Sequence, residues 1–455
     1  MMEKSYFRLI AEHFAGLSMA ELDQETLHQV RRSLVNYLGG SIYTASHQSC
    51  APLLAVIRAM DFGGKAAIWA EEAPAAPAIA AFSNAARLSS LELNDSTKAS
   101  AHPGIYVWSS VLAAYQQHGG TVENLVRAVV FGYEVCTRMA MLSIDRIREL
   151  GLHNPGFVGA LGAVAGAGLM RGLSTDQLCN AFGMAASLLP LCPFVSFVEG
   201  ADSKDLYGGW GTYLAMFAVE AASQGLTGPE HVLQGVKALD TVFQGEAGKE
   251  IELGKPYLIN WLSIKEYPAC FAVNPAVNAV FALQREHEID PEQIDSVLVD
   301  SYPYSFDLNE GVGREPNTTS GRLSLYYTVA VALMDKHLSP DAFTTEKLLD
   351  PRYEALRGKI TARRHDAYGD GPTGIRGCII EVRMKDGQVF AREFNATENK
   401  KVYSDEMLYQ KYCGLVGDAL APHVQKELYD FAMSVDARQD ISFMLDVLRT
   451  LPKIG

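Results

Sequence analysis

The change in hydrophobic periodicity along the chain is the feature that most constrains its fold. Residues 1–250 carry one helical pattern after another. Ser18-Met-Ala-Glu21 has the spacing of a capping box and predicts a helix over residues 22–38, with Gly39-Gly40 as its stop. Thr121 and Ser174 open two further helical patterns in the same way. This part of the chain is therefore predicted to be all-helical.

A different pattern follows after about residue 265. Residues 296–301 are strand-like, and residues 378–384 and 388–394 alternate on either side of Lys385-Asp386-Gly387, which predicts a β-hairpin. Helical spacing returns from Ser404 onward. We therefore expect a mainly α protein with an α+β second domain.

The return to helix at the C-terminus predicts a discontinuous first domain. The all-helical domain would consist of residues 1–265 and 396–455, and a smaller α+β lid domain of residues 266–395. A chain of 455 residues is long enough for two such domains.

Composition and charge narrow the possible partners. A net charge of −14 argues against binding to nucleic acid or to an anionic membrane surface, which both require a basic face. The longest apolar run, residues 156–170, is interrupted by glycines and is shorter than the roughly 20 residues of a membrane span, so it predicts a closely packed buried helix. The cysteines form no C-x-x-C pair and the first residues lack a signal-peptide pattern, so we expect a cytoplasmic protein without a metal or an iron–sulfur cluster.

Several ionisable residues lie in the segment 90–104, between two apolar helical patterns. The candidates there are Glu92, Asp95, Ser96, Lys98 and His102. Charged groups are costly to bury unless they are paired, so this segment predicts a site that handles charge or protons.

Four further residues stand at comparable positions. His153 precedes the Gly/Ala-rich helix, Lys204 precedes another apolar helix, Lys265 lies at the domain junction, and Tyr327 opens a helix of the second domain. Each has an ordinary structural explanation when taken alone. Together they supply the groups needed to remove a proton next to a carboxylate, because fixed cations stabilise the charge that develops and a histidine or carboxylate moves the proton.

At this point the chain resembles the MmgE/PrpD family. The resemblance rests on six motifs in order: Leu93-Asn-Asp-Ser96 with His102-Pro-Gly104, His153 before a Gly/Ala-rich helix, Lys204, Lys265 to Cys270, Leu323 to Tyr327, and Ser404 to Tyr412. It implies the two-domain fold predicted above, a homodimer, no metal or organic cofactor, and an active site between the domains. It also implies a small anionic carboxylate as substrate.

The resemblance assigns roles to the candidates. Lys204 and Lys265 would bind carboxylates, His102 and His153 would be the acid and base, Asp95 would orient or share the proton, and Tyr327 would donate to the substrate. Asn94 stands where relatives carry an acid, Lys98 adds a charge, and Asn274 stands where many relatives carry histidine. With Glu92 and Ser96, these residues are expected to contact the substrate.

The leading hypothesis is a cofactor-independent lyase of the 2-methylcitrate dehydratase type, which removes a proton next to a carboxylate and eliminates water. The same residues would serve a decarboxylase of the cis-aconitate type or an epimerase of the iminodisuccinate type. A catalytically inactive binding protein of the same fold is the alternative from another class.

Overall fold

A computed structural model describes residues 4–47, 63–234, 237–245, 247–311, 317–369, 376–395 and 403–452. Most of its buried apolar side chains form two cores. The larger core is built from residues between 7 and 264 together with residues 408–451, and we call this part the body. The smaller core is built from residues between 267 and 384, and we call this part the lid.

The body contains the long helices of the chain. Its helices are α1 (Tyr6–Ala15), α2 (Gln24–Ser46), α3 (Pro77–Ser90), α4 (Pro103–His118), α5 (Val122–Glu149), α6 (Asn154–Arg171), α7 (Thr175–Ser187), α8 (Val195–Val198), α9 (Leu206–Ser223) and α10 (Ala247–Glu250). As predicted, Thr121 caps α5, and Ser174 caps α7 with a complete capping box. The mainly helical fold class is confirmed.

Helix α6 is the centre of the body and is buried along nearly its whole length. It packs against α4, α5 and α9. Its glycines allow this close approach: a Cβ atom on Gly159 would lie 2.5 Å from the Tyr106 ring, and one on Gly162 would lie 2.6 Å from Cys136. The prediction of a closely packed buried helix over residues 156–170 is confirmed.

The prediction that Gly39-Gly40 ends the second helix is wrong. Ser18 caps a short 3-10 turn, Asp23 caps α2, and α2 continues through both glycines to Ser46. A Cβ atom on Gly40 would lie 2.6 Å from a Leu88 methyl group, so this glycine serves helix packing and not helix termination.

Two short antiparallel pairs, which the sequence patterns did not predict, lie in the body. They are β1 (Ala66–Ala67) with β2 (Pro74–Ala75), and β3 (Asp95–Ser96) with β4 (Ser263–Ile264). The second pair joins the segment 90–104 to the residue just before Lys265, so it brings two of the predicted site segments together.

The lid is a four-stranded sheet with helices. Its strands are β5 (Ile294–Ser301), β6 (Ile360–Arg364), β7 (Gly377–Met384) and β8 (Val389–Asn395), in the order β6-β5-β7-β8. Strands β5 and β6 are parallel, and the other two pairs are antiparallel, so the predicted hairpin is confirmed. The lid helices are α11 (Asn274–Glu286), α12 (Pro303–Gly311), α13 (Leu325–Asp335), α14 (Thr345–Leu348) and α15 (Pro351–Arg357).

The chain returns to the body after the lid. Helices α16 (Asp405–Val416), α17 (Pro422–Ala432) and α18 (Ser442–Arg449) follow, and α16 packs along α2. Of the helices in the described ranges, none combines the length and the apolar character needed to cross a bilayer.

Candidate active site

A buried carboxylate between two buried ammonium groups forms the centre of the candidate site. Glu92 follows the C-terminus of α3, and its Oε2 accepts a hydrogen bond of 2.8 Å from Lys265 Nζ while its Oε1 accepts one from Lys204 Nζ. All three side chains are at least 90% buried. Because Lys265 lies at the start of the lid segment, the cluster lies where body and lid meet.

The three charges of this cluster stabilise one another. Burial alone would raise the pKa of Glu92, but the two ammonium groups outweigh burial and hold that pKa well below its usual range. Burial would likewise lower the pKa of Lys204, and the Glu92 carboxylate reverses this and raises it. Glu92 and Lys204 therefore both remain ionised at neutral pH.

Lys204 and Lys265 differ in their other contacts. Lys204 Nζ also donates to the Ser89 carbonyl oxygen at 3.0 Å and lies 3.3 Å from Asp205 Oδ1. Lys265 Nζ instead lies 5.1 Å from the centre of the Phe271 ring. An aromatic face attracts a cation but takes up no hydrogen-bond donor in the way that an oxygen atom does.

His102 lies immediately before α4 and is fixed by a main-chain contact. Its Nδ1 is 2.6 Å from the Asp95 carbonyl oxygen, and its ring is parallel to that of Phe271, with 6.4 Å between the centres. Burial, with a smaller contribution from the Lys265 ammonium, lowers the pKa of His102 to about 4. The ring is therefore neutral near pH 7, and because a carbonyl only accepts, Nδ1 carries the proton and Nε2 has a free lone pair.

His153 is the N-cap residue of α6 and has the opposite arrangement. Its Nδ1 accepts a hydrogen bond of 3.2 Å from the Gly156 backbone N–H. Burial lowers the pKa of His153 to about 3, so this ring is also neutral. Since Nδ1 accepts, the proton lies on Nε2, and His153 presents an N–H donor where His102 presents a lone pair.

These groups form one electrostatic cluster. The pKa of His153 is affected by His102, Glu92, Lys204 and Lys265, after the dominant effect of burial. Aromatic side chains surround it: Phe197 lies 4.8 Å from the His153 ring and 4.7 Å from Lys204 Nζ, measured to its centre. Phe197 also packs against Ala272 and Leu323 of the lid, so both domains enclose the cluster.

Asp95 contacts His102 through its main-chain carbonyl oxygen and not through its carboxylate. Its carboxylate accepts hydrogen bonds from the Gly104 backbone N–H at 3.0 Å and from the Tyr133 hydroxyl, while its main-chain carbonyl holds His102. Burial raises the pKa of Asp95 to about 6. A Cβ atom on Gly104 would lie 2.7 Å from this carboxylate, which explains a glycine after His102-Pro103.

The structure places Tyr327, an expected substrate contact, in the lid core. Its hydroxyl donates to the Ala342 carbonyl oxygen inside the lid core, and its ring packs against Phe343 and Tyr353. The side chain is completely buried there. Its one hydrogen-bond donor is thus used within the core, and a direct role toward the substrate stays a prediction.

The other residues expected to contact the substrate differ in burial and in their partners. Lys98 is exposed, with Nζ 3.6 Å from the centre of the Trp261 ring, and Ser96 donates to the Thr97 carbonyl oxygen within the β3 segment. Asn94 is buried beside Asp95 and lines a small space behind it. The Asn274 amide oxygen is buried without a hydrogen-bond partner in the described part of the chain, as expected of a group that awaits a donor.

Lys411 is a half-buried lysine to which the sequence patterns give no role. Its Nζ donates to Asn36 Oδ1 at 2.7 Å and to the Lys265 carbonyl oxygen at 2.8 Å. Burial lowers its pKa to about 7. Lys411 thus connects α16 and α2 to the backbone of Lys265, and its place in the Ser404 to Tyr412 motif was the one available signal.

Fold and site together define a two-domain, mainly helical protein with an acid–base and cation cluster between its domains. The chain belongs to the MmgE/PrpD family: the MmgE/PrpD N-terminal domain matches residues 8–252, and the MmgE/PrpD C-terminal domain matches residues 267–436.

Similar proteins with known activities are lyases. Cis-aconitate decarboxylase of Aspergillus terreus is 24% identical over 413 residues, which cover 82% of this chain and 81% of that protein. The mouse enzyme of the same name is 21% identical over 479 residues, covering 99% and 94%. The 2-methylcitrate dehydratase of Cupriavidus necator is 23% identical over 382 residues, covering 79% and 78%.

Proposed function

We propose that this protein is a lyase that eliminates water from a small hydroxy-polycarboxylate related to 2-methylcitrate, without an organic cofactor or a metal. The observation that carries the proposal is the pair of neutral histidines with opposite tautomers beside two buried lysines. One histidine offers a base, the other offers a donor, and the lysines offer fixed positive charge.

His102 acts as the base in this proposal. Its Nε2 lone pair removes the proton from the carbon next to a substrate carboxylate, and the electron pair left behind spreads into that carboxylate. The ammonium group of Lys265 stabilises this enolate-like charge, since it is already buried and oriented.

The same proton then leaves with the hydroxyl group. With a pKa of about 4, protonated His102 is a strong acid and readily returns its proton. The carbon–oxygen bond breaks, its electrons go to the oxygen, and the proton from His102 completes a water molecule while a carbon–carbon double bond forms. His153 Nε2–H donates a hydrogen bond to the departing oxygen and keeps its own proton, as suits a neutral imidazole at a helix N-terminus.

Decarboxylation is the second candidate, and the similarity to cis-aconitate decarboxylases favours it. Loss of carbon dioxide would leave a carbanion that the lysines stabilise and a histidine protonates. Epimerisation is compatible with the same base and donor on opposite faces of the substrate carbon.

One experiment separates these reactions. Purified protein is incubated in deuterium oxide with 2-methylcitrate, citrate, malate, citramalate, cis-aconitate or iminodisuccinate, and products are followed by NMR and mass spectrometry. Loss of water supports the proposal, loss of carbon dioxide supports the second candidate, and deuterium uptake without loss of mass indicates an epimerase. Binding without turnover of all six compounds contradicts a lyase and indicates the inactive binding protein.

A His102→Gln variant tests whether His102 is the base. Loss of the base should lower turnover by roughly two to four orders of magnitude. Near-normal turnover in this variant would contradict the role of His102 whichever reaction is found.

We also propose a cytoplasmic homodimer. Free thiols at Cys136, Cys179 and Cys378 suit a reducing compartment. Helix α9 carries a large apolar face that the described body leaves exposed, with Leu206, Trp210 and Phe217 on it. Because two copies of a chain with a net charge of −14 repel each other, an uncharged face is the surface on which they can meet.

A further inference from the structure

The two site lysines have different numbers of unused hydrogen-bond donors. A lysine ammonium group has three N–H donors and no acceptor. Lys204 donates hydrogen bonds to the Ser89 carbonyl oxygen and to Glu92 Oε1, and Asp205 Oδ1 lies 3.3 Å from its Nζ in an ion pair without a hydrogen bond. A substrate carboxylate at Lys204 would meet the carboxyl groups of Glu92 and Asp205 at short range, so we expect Lys204 to hold Glu92 in place and not to receive the substrate.

Lys265 has more unused hydrogen-bond donors than Lys204. Within the described ranges its ammonium group meets one side-chain oxygen, Glu92 Oε2 at 2.8 Å. The Phe271 ring borders Lys265 Nζ at 5.1 Å and also stacks on the His102 ring. Two N–H donors of Lys265 are therefore available beside the ring that carries the proposed base.

Glu92 is held firmly between the lysines. Its backbone has a φ of +53°, its side chain is buried, and each carboxylate oxygen accepts from a different ammonium group. Moving this carboxylate aside would leave two ammonium groups buried without their shared partner, which is strongly unfavourable.

We propose that Glu92 is a specificity-determining residue that takes the place of one substrate carboxylate, so that Lys265 binds a single substrate carboxylate and the preferred substrate is a hydroxydicarboxylate and not a tricarboxylate. This inference rests on the proposed function and deepens it. Two ammonium groups with one internal carboxylate leave one positive charge for the ligand, and Asp205 reduces that charge further. An additional substrate carboxylate here would face Glu92 at short range in a poorly solvated site.

The test compares two unreactive anions that differ by one carboxylate, glutarate and propane-1,2,3-tricarboxylate. Their affinities are measured by isothermal titration calorimetry with the wild-type protein and with Glu92→Gln and Glu92→Asp variants. The wild type should bind glutarate at least as tightly as the tricarboxylate. Glu92→Gln should shift the affinity ratio toward the tricarboxylate by about tenfold or more, because it removes a like charge at contact distance. Glu92→Asp keeps the charge and should keep the wild-type preference.

A second pair of variants decides the matter if Glu92→Gln does not fold. Lys265→Gln should weaken glutarate binding by about tenfold or more, whereas Lys204→Gln should lower the melting temperature with a much smaller change in affinity. Equal losses of affinity in the two lysine variants would overturn the inference, as would an unchanged ratio in folded Glu92→Gln.

Different results decide the lyase proposal and the role of Glu92. A preference for glutarate without turnover of any hydroxy acid would contradict the lyase and leave the inference standing. Efficient elimination from tricarboxylates, with a higher kcat/KM than from hydroxydicarboxylates such as malate and citramalate, would confirm the lyase and overturn the inference. Failure of the wild type to bind either anion would overturn both.

Discussion

The two histidines illustrate how identical side chains acquire different roles from a single neighbouring atom. His102 Nδ1 meets a carbonyl oxygen and must donate, whereas His153 Nδ1 meets a backbone N–H and must accept. Both rings are neutral because burial disfavours the imidazolium form. Which nitrogen is free to react is therefore decided by backbone geometry at the start of two helices.

The pH dependence of kcat/KM tests this arrangement. The base must be neutral to work, and His102 is protonated only as the pH falls through about 4, so the acid limb of kcat/KM should lie near pH 4 and not near the usual histidine value of about 6.5. The measurement is kcat/KM from pH 3.5 to 8 in short assays. A limb centred near pH 6.5 would show that His102 is not held in the neutral form.

Stability must be followed in parallel, because the two histidines also contribute to the pH dependence of unfolding. The unfolded chain binds a proton at these histidines near pH 6.5, whereas the folded chain does so only near pH 4 and pH 3. Between these values the unfolded state binds more protons at the two histidines, so their contribution to the free energy of unfolding decreases as the pH falls from about 6.5, whereas the raised pKa of Asp95 contributes in the opposite sense below about pH 6. Thermal unfolding at each pH separates this loss from loss of the base.

At the residue scale, the sequence predicts which segments form the site but not which side chains contact one another. The segments that carry His102, His153, Lys204 and Lys265 do converge on one cluster. The ion pairs of Glu92 with the two lysines are not predictable from local patterns, because these partners are 112 and 173 residues away along the chain. Sequence reasoning assigned Tyr327 to the substrate because a tyrosine in a motif does not reveal whether its hydroxyl is already bonded inside a core.

At the element scale, the sequence correctly predicts helix starts that have a side-chain cap. It does not correctly predict a helix end at glycines that pack against a neighbouring helix. The caps at Thr121 and Ser174 and the hairpin turn at Gly387 are decided by neighbouring residues, so the sequence predicts them. Gly39-Gly40 predicts a helix stop, yet α16 packs against Gly39 and α3 packs so closely against Gly40 that a Cβ atom there would lie 2.6 Å from Leu88. Whether a glycine ends a helix or admits a neighbour depends on tertiary contacts.

A matched pair of glycine substitutions separates these two uses of glycine. A Cβ atom on Gly162 in α6 would lie 2.6 Å from Cys136 Cβ and 2.9 Å from a carbonyl oxygen of α5, whereas one on Gly414 in α16 would meet nothing within 4 Å. We expect Gly162→Ala to lower the free energy of unfolding by about 1–3 kcal/mol through overpacking. Gly414→Ala should raise it by about 0.4–1 kcal/mol, because alanine restricts the unfolded chain and favours the helix. Urea unfolding of both variants measures the difference, and equal effects would contradict the close packing of α5 on α6.

At the scale of the whole molecule, the two chain ends and the lid meet at the site. Lys411 from α16 holds Asn36 of α2 and the backbone of Lys265, so residues from three distant parts of the chain fix one site lysine. Asn317 of the lid donates to the Gly200 carbonyl oxygen at 2.9 Å, close to the turn that carries Lys204. The site therefore exists only in the assembled two-domain molecule, which is why its geometry is beyond sequence patterns.

The proposed homodimer is tested on the exposed face of α9. Trp210 and Phe217 are each 51% exposed, and Trp210 stacks on Tyr213 with 5.7 Å between ring centres, so the face is a preformed aromatic surface. A Trp210→Asp substitution places a charge at its centre, and burying an unpaired carboxylate in an interface is costly. We expect the wild type to be a dimer by light scattering coupled to size-exclusion chromatography and the variant to be a monomer with an unchanged melting profile of the body. Leu349→Asp is the matched control, because this residue is an exposed leucine, 75% accessible, at the end of α14 in the lid and not on α9. Dimers of both variants, or a monomeric wild type, would exclude α9 as the interface.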